Sequence, residues 1–344
     1  MARFGLFLHA SDRGTEPARL FDELAEEAAL AEEVGFEACL IAEHHQSSNG
    51  HYPAPLMLAA GIAARTKTIR VGSSVLLAPL YHPMHLAEES ATADLISGGR
   101  LILGMGIGYT ARDFDPFGVS LKERASRMED HLQFLKRVWT EDGVTFRGRH
   151  FSFDNVTLAP KPVQQPRPPI WLGGDVPAAL KRAARHGDAW IGFPFHGLET
   201  VVERTAFYRR EAEALGRRPM VALRRDGWVA EDRELAIRQY EPAVRSFQRF
   251  MQELHSHDEW FRDMTERDVQ QEAGNRLLLG TPEECIATAR LFAEQAGVDW
   301  FIMRFRQPDG PPHAEVMRAI ELFGREVIPA LRAGDPEAPL VVDP

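Results

Sequence analysis

The sequence predicts an α/β fold, a TIM (β/α)8 barrel with insertions. Three observations carry that prediction. Short apolar runs alternate with helical stretches along the whole chain, the helices repeatedly open on proline, and the strand-like runs of the first third end in Gly, His or Pro. Alternation of this kind implies βαβ units and a parallel sheet, and the carboxyl ends of barrel strands are where chemistry is placed. At 344 residues the chain has room for insertions in such a barrel.

Each element has its own justification. The first strand is Phe4–Leu8, and Pro17–Val34 follows as a helix, with Leu20, Leu24, Ala28 and Ala31 on one face and Pro17 suited to the first turn. Phe36–Ile41 is the second strand and Ile69–Leu77 the third, separated by a helix over Pro53–Arg65. Pro83–Ile96 is the next helix, closed by glycine, and Leu101–Met105 is the fourth strand. The second half continues with strands Pro169–Leu172, Asp188–Ile191, Met220–Val229 and Trp300–Arg304. Helices fall at Pro177–His186, Leu198–Leu215, Arg233–Met251, Pro282–Ala296 and Pro312–Leu331. Eight strands result, in a single domain over 1–332. Residues 144–168 form a hairpin-like excursion around the turn after Phe146, 252–280 a polar insertion that is either a lid or a solvated excursion, and 333–344 a tail.

Composition narrows the function. An apolar content of 44%, a charged content of 26% and a net charge of −10 describe an ordinary globular protein, and they argue against a nucleic-acid or anionic-membrane partner. No apolar run approaches a membrane span, and Met1-Ala2-Arg3 leads straight into a strand without a signal-peptide pattern. Cys39 and Cys285 offer neither a disulfide framework nor metal spacing, so a reducing cytoplasm is the expected location.

Glu43-His44-His45 closes the second strand, and histidine is the side chain best able to shuttle protons near neutral pH. Tyr81-His82-Pro83 follows the third strand, and Gly104-Met105-Gly106-Ile107-Gly108-Tyr109 closes the fourth. The glycines permit close approach of a flat ring or a phosphate, although the spacing matches neither a dinucleotide fingerprint nor a P-loop. Trp171-Leu172-Gly173-Gly174-Asp175 feeds a helix N-terminus, a plausible phosphate cradle. Arg124 and Arg127 either add charge-assisted bonds to it or pair with Glu123 and Glu129 on the surface. A metal site and a serine hydrolase both fail, since neither HExxH nor a G-x-S-x-G elbow is present. An organic cofactor with a phosphate tail is what remains.

Taken in order, Glu43-His44-His45, Ala78-Pro79-Leu80-Tyr81-His82-Pro83, Gly99-Arg100, Gly104 to Tyr109, Phe117-Gly118-Val119 with Glu123-Arg124, Pro169 to Gly174, Leu279 to Glu283 and Val327-Ile328-Pro329 resemble the bacterial luciferase-like flavin monooxygenase family. The resemblance runs from residue 3 to about 331. It implies a barrel, usually dimeric, that binds reduced FMN or the deazaflavin F420. FMN-type members form a C4a-peroxyflavin with O2 and oxidise a small organic substrate, often with FMNH2 from a separate NAD(P)H:flavin reductase. Carried onto this sequence, the resemblance makes His44 the acid/base, with His82 either its helper or a helix-entry residue. Ala78 and Gly106 would face the ring, with Gly108 and Tyr109 on the same rim, and Gly173, Gly174, Asp175, Arg124 and Arg127 would lie near the phosphate. One departure stands out. Ile107 occupies the place where the luciferases proper carry a phosphate-binding arginine. Three readings stay open: an FMN-dependent monooxygenase, an F420-dependent hydride-transfer enzyme, and an inert flavin-binding partner subunit.

Overall fold

Proline sets the start of helix after helix. Its fixed φ suits the first turn, where its missing N–H costs nothing. In the computed structural model, which describes residues 2–11, 16–47, 51–254, 268–332 and 342, proline occupies the opening of α1 (Pro17–Glu33), α2 (Pro55–Ala63), α3 (Pro83–Ser97) and α6 (Pro177–His186). The other helices before residue 255 are α4 (Ala111–Phe114), α5 (Arg124–Thr140), α7 (Leu198–Glu213) and α8 (Arg233–Leu254). The strands are β1 (Arg3–Leu8), β2 (Ala38–Ile41), β3 (Arg70–Ser73), β4 (Leu76–Leu77), β5 (Leu101–Gly106), β6 (Val144–Arg147), β7 (Ser152–Val156), β8 (Ile170–Gly173), β9 (Ala189–Gly192), β10 (Met220–Val229), β11 (Leu278–Gly280) and β12 (Trp300–Arg304). The fold is a TIM (β/α)8 barrel, in which β3 and β4 are two pieces of one strand, β11 is an addition beside β10, and β6 and β7 form a separate antiparallel hairpin.

The chain forms two compact units. Among the described residues, one comprises 2–38, 192–206 and 221–332, the other 39–191 and 207–220. In the first, parallel strands lie in the order β11-β10-β12-β1, with Arg3 opposite Trp300 and Ala222 opposite the other side of Trp300. Its core is aromatic: Phe4 stacks on Phe301 at 5.6 Å and Phe36 on Phe323 at 5.8 Å. A buried ion cluster joins the chain after β12 to α1, where Arg306 pairs with Glu23 at 2.9 Å and Glu27 at 2.6 Å. In the second unit the order is β2-β3-β5-β8-β9, with β4 continuing β3 along β5. β5 is buried at every position, as the alternation of helices around a parallel sheet requires. The Arg167–Asp188 pair braces the β8 end of this sheet, with bonds of 2.7 and 3.1 Å, and Asp188 also accepts the Ile170 N–H at 2.7 Å.

Three differences from the sequence reading have physical causes. The run Ile69–Leu77 is interrupted at Ser74-Val75, where Val75 packs into space left by Gly106 and Gly173. The expected last helix, Pro312–Leu331, divides into α-helix His313–Leu322, a π turn Phe323–Val327 and α-helix Ile328–Leu331. Pro329 cannot donate to the turn before it, which favours a break in the ordinary ladder there. Within 252–280 the structure shows a short helix, Val269–Glu272, and the strand β11, both too brief to give a periodic signal; 255–267 lie outside the described residues. All but residue 342 of the 333–344 tail lies outside them too. Among the described residues, no helix is long and apolar enough to cross a membrane.

Candidate active site

Where β2 ends, a buried carboxylate organises the turn. Glu43 is 2% exposed, and its side chain accepts the Leu77 N–H at 2.6 Å and bonds His45 Nε2 at 2.7 Å. The Glu43 N–H in turn donates to the Val75 carbonyl at 3.2 Å. Burial, and secondly the charge of Glu43, push the Tyr81 phenol upward, so it stays protonated and donates to that carboxylate. Glu43 is therefore a tie between two strand ends, and His45 braces it, with its ring edge-on to Phe117 at 4.6 Å.

His44 has different neighbours. Its Nδ1 lies 4.0 Å from Asp113 Oδ2, while Asp113 Oδ1 accepts the His45 backbone N–H at 2.9 Å. Asp113 is 1% exposed. Burial raises its pKa, but the His44 side chain and the His45 N–H together outweigh burial and hold it below its ordinary value. The carboxylate thus stays charged and aims His44. Edge-on to the His44 ring at 5.2 Å stands His51, whose Nδ1–H donates to the Tyr52 carbonyl at 2.9 Å. Burial, then the neighbouring His44, bring the His51 pKa down to about 3, so this ring is neutral at physiological pH. His44 thus has one anionic and one neutral neighbour.

The glycine-rich rim is tightly filled. A Cβ on Gly106 would meet Val75 Cγ2 at 2.5 Å, and one on Gly173 would meet Val75 Cγ1 at 3.1 Å. These glycines accommodate the Val75 side chain. Gly108 lies against the Phe114 ring, and Tyr109 beyond it is 46% exposed. Ala78, fully buried, opens a 3-10 turn whose carbonyl accepts the Tyr81 N–H. Gly174 adopts φ +140°, a conformation L side chains rarely reach, and its carbonyl accepts the Trp190 indole N–H at 2.7 Å. Asp175 sits in the turn before α6, whose N-terminus carries no side-chain cap.

Helices α5 and α6 are joined through one carboxylate. Glu129 on α5 binds Arg182 at 2.8 Å and His186 at 3.3 Å on α6. Arg124 donates through Nη1 to the Leu121 carbonyl at 2.6 Å, while its Nε is buried with no partner among the described residues. Arg127 is committed otherwise. Its Nε donates to the Pro79 carbonyl at 2.9 Å, its guanidinium covers the Phe151 ring at 4.8 Å, and Glu123 lies 3.9 Å away.

His82 caps α3, accepting the Met84 N–H at 3.3 Å, and packs edge-on to Phe151 and Phe153 of the hairpin. Burial, and then His85, lower its pKa. The structure joins His82 to the hairpin and His44 to Asp113 and His51. Sequence reasoning missed Asp113 and His51. Thr110-x-x-Asp113 reads as a helix start, and Thr110 does cap α4, yet the carboxylate turns outward to the histidines.

With barrel and strand-end histidine network in place, the family can be stated. Residues 1–299 match the model for the luciferase-like monooxygenase family, and the chain belongs to it. It is similar to the oxygenase component of the flavin-dependent trigonelline monooxygenase of Acinetobacter baylyi, 32% identical over 67% of this chain and 66% of that protein. It also resembles an F420-dependent glucose-6-phosphate dehydrogenase of Amycolatopsis mediterranei, 28% identical over 90% of this chain and 95% of the other. Among solved structures, the monooxygenase RslO1 from Streptomyces bottropensis superimposes with a TM-score of 0.85, at 27% identity, covering 95% of this chain and 99% of that one.

Proposed function

We propose that this chain is the oxygenase of a two-component system, taking reduced FMN from an NAD(P)H:flavin reductase and using it with O2 to oxidise a small organic molecule. The observation that carries the reading is Asp113, a buried carboxylate that grips the His45 backbone and turns its second oxygen to His44. The residues fit the cofactor. Ser74 Oγ and Arg124 Nε are buried polar atoms without partners among the described residues, one a hydroxyl able to donate to or accept from a polar ring edge, the other a cationic donor for a phosphate. Arg124 and the uncapped start of α6 would hold the phosphate; Ile107 has no donor to offer there.

When bound, reduced FMN supplies two electrons to O2. The protein's part is orientation and proton handling. With Nδ1 of His44 turned to Asp113, Nε2 is left to give or take the proton, and the carboxylate keeps the ring oriented. Glu43 keeps the turn rigid beneath it. The likeness to the trigonelline enzyme supports the FMN reading. The likeness to the F420-dependent dehydrogenase favours the competing hydride-transfer reading, whose cofactor carries a longer, more anionic tail.

Anaerobic ultrafiltration separates these. The chain is expected to retain FMNH2 in preference to reduced F420, with Arg124→Ala weakening retention about tenfold or more, the loss of one charge-assisted bond. His44→Ala is expected to alter the kinetics of flavin oxidation in air while retention persists. Retention of F420 with none of FMNH2 overturns the proposal. Identical kinetics with and without the His44 side chain make the chain an inert flavin carrier instead.

A further inference from the structure

The hairpin and α5 bring together three side chains that the flavin reading leaves unused. Ser126, in the first turn of α5, has its Oγ 2.7 Å from His150 Nε2. The other ring nitrogen, Nδ1, lies 3.8 Å from Glu123 Oε2. A hydroxyl at one nitrogen of an imidazole, with a carboxylate on the side of the other, is the order of a serine nucleophile, its base and the acid that orients the base. The sequence contains no G-x-S-x-G elbow, but such sets arise on unrelated folds and are recognised by their geometry.

The arrangement is held from outside the three residues. One turn along α5, buried Asp130 accepts the N–H groups of Arg149, His150 and Phe151 at 3.1, 2.7 and 3.3 Å, which pins the backbone carrying the imidazole to the helix. The His150 side chain is 13% exposed and that of Glu123 46%, so the set is reachable from solvent. The Ser126 hydroxyl hydrogen has two acceptors within reach, the ring at 2.7 Å and the Glu123 carbonyl at 3.0 Å, and the shorter contact is the one that activates the oxygen. Ser126 is also the third residue of a long helix without a side-chain cap. Negative charge developing beside it therefore meets the positive end of the helix dipole.

We propose that Ser126, His150 and Glu123 form a second, flavin-independent site that cleaves small carboxylic esters. Ser126 Oγ adds to the ester carbonyl while its proton passes to His150 Nε2. The bond between the acyl carbon and the alcohol oxygen breaks, and the alcohol leaves with that proton. Water then adds to the acyl-serine, giving one proton to His150, and the carboxylic acid departs as Ser126 regains a proton. Glu123 orients the ring. No electrons are exchanged, so the test is run without flavin and its outcome is separate from the flavin reading.

Flavin-free protein would be given p-nitrophenyl acetate, with p-nitrophenolate release followed, and in parallel a fluorophosphonate, which phosphonylates activated serines, with the adduct located by peptide mass spectrometry. Release above that of buffer is expected, with an adduct on Ser126 that urea-unfolded protein does not form. Ser126→Ala is expected to return release to the level of buffer. His150→Gln keeps the serine but should lower release about a hundredfold or more, as for loss of a general base, and should abolish the adduct. Glu123→Gln should cause a smaller loss. No release above buffer, release unchanged by Ser126→Ala, no adduct at Ser126, or an adduct that forms equally in unfolded protein or in His150→Gln refutes the site and leaves the three residues as a fastening of the hairpin.

Discussion

Replacing Gly106 by alanine tests what the glycine rim is for. The new Cβ would stand 2.5 Å from Val75 Cγ2, where ordinary contact begins near 3.4 Å, so Val75 must withdraw by nearly 1 Å. Overpacking of this size costs about 1–3 kcal/mol. Val75→Ala removes both γ carbons, and the nearest remaining atom, Val75 Cβ, lies at 3.5 Å, which is ordinary contact. Alone, that second change should cost about 1 kcal/mol, since Val75 is only half-buried. Together the two should be less destabilising than their sum by about 1–2 kcal/mol, read by urea unfolding of the four proteins as a double-mutant cycle. Retention of FMNH2 measured on the same four separates the two roles of the glycine. Recovery of stability without recovery of retention would assign Gly106 to the cofactor as well. Strict additivity of the two unfolding costs would refute the reasoning, since Val75 would then not be the obstacle.

Other perturbations follow from single contacts. Asp113→Asn keeps an acceptor for the His45 N–H but removes the charge facing His44; two unit charges 4 Å apart interact by about 1–4 kcal/mol between bulk water and a protein surface, so turnover should fall roughly tenfold with the fold intact by circular dichroism. Arg167→Met removes the bidentate partner of buried Asp188, leaving it the Ile170 N–H and Arg217 at 3.9 Å, and should lower unfolding free energy by about 3 kcal/mol in urea titration, unlike a surface arginine. His313 is bonded by Glu27, then opposed by burial, then helped by Glu26, with a net upward shift from 6.5. A raised folded pKa adds stability that is complete below 6.5 and fades as pH rises through the higher folded value, so stability should decline as pH rises from 6.5, and His313→Gln should flatten that decline.

Much of the barrel was legible because proline and glycine punctuate it. Pro177–His186, Met220–Val229, Pro282–Ala296 and Trp300–Arg304 have the bounds that residue pattern alone indicates. What escaped depends on partners far away in sequence. Val75 looks like one more β-branched residue until Gly106 and Gly173, 31 and 98 residues on, open a place for it. Asp113 looks like a helix-start residue until β5 carries it to His44. His51 lies beyond the strand-end tripeptide, with no periodic pattern around it, and only the fold stands it against His44. Glu129 was legible as an acid on α5, but not as the partner of Arg182 and His186, because helix neighbours follow from strand order.

One carboxylate has an evolutionary reach beyond its size. Asp130 accepts the N–H groups of Arg149, His150 and Phe151, fastening the β6–β7 hairpin to α5, and Phe151 in turn underlies Arg127. The hairpin and the cationic first turn thereby share one helix as their common support. Drift in one should be tracked by drift in the other: relatives that lengthen or lose the hairpin are expected to change residue 127 as well, while residue 124, held to its own turn, stays free to vary with the cofactor.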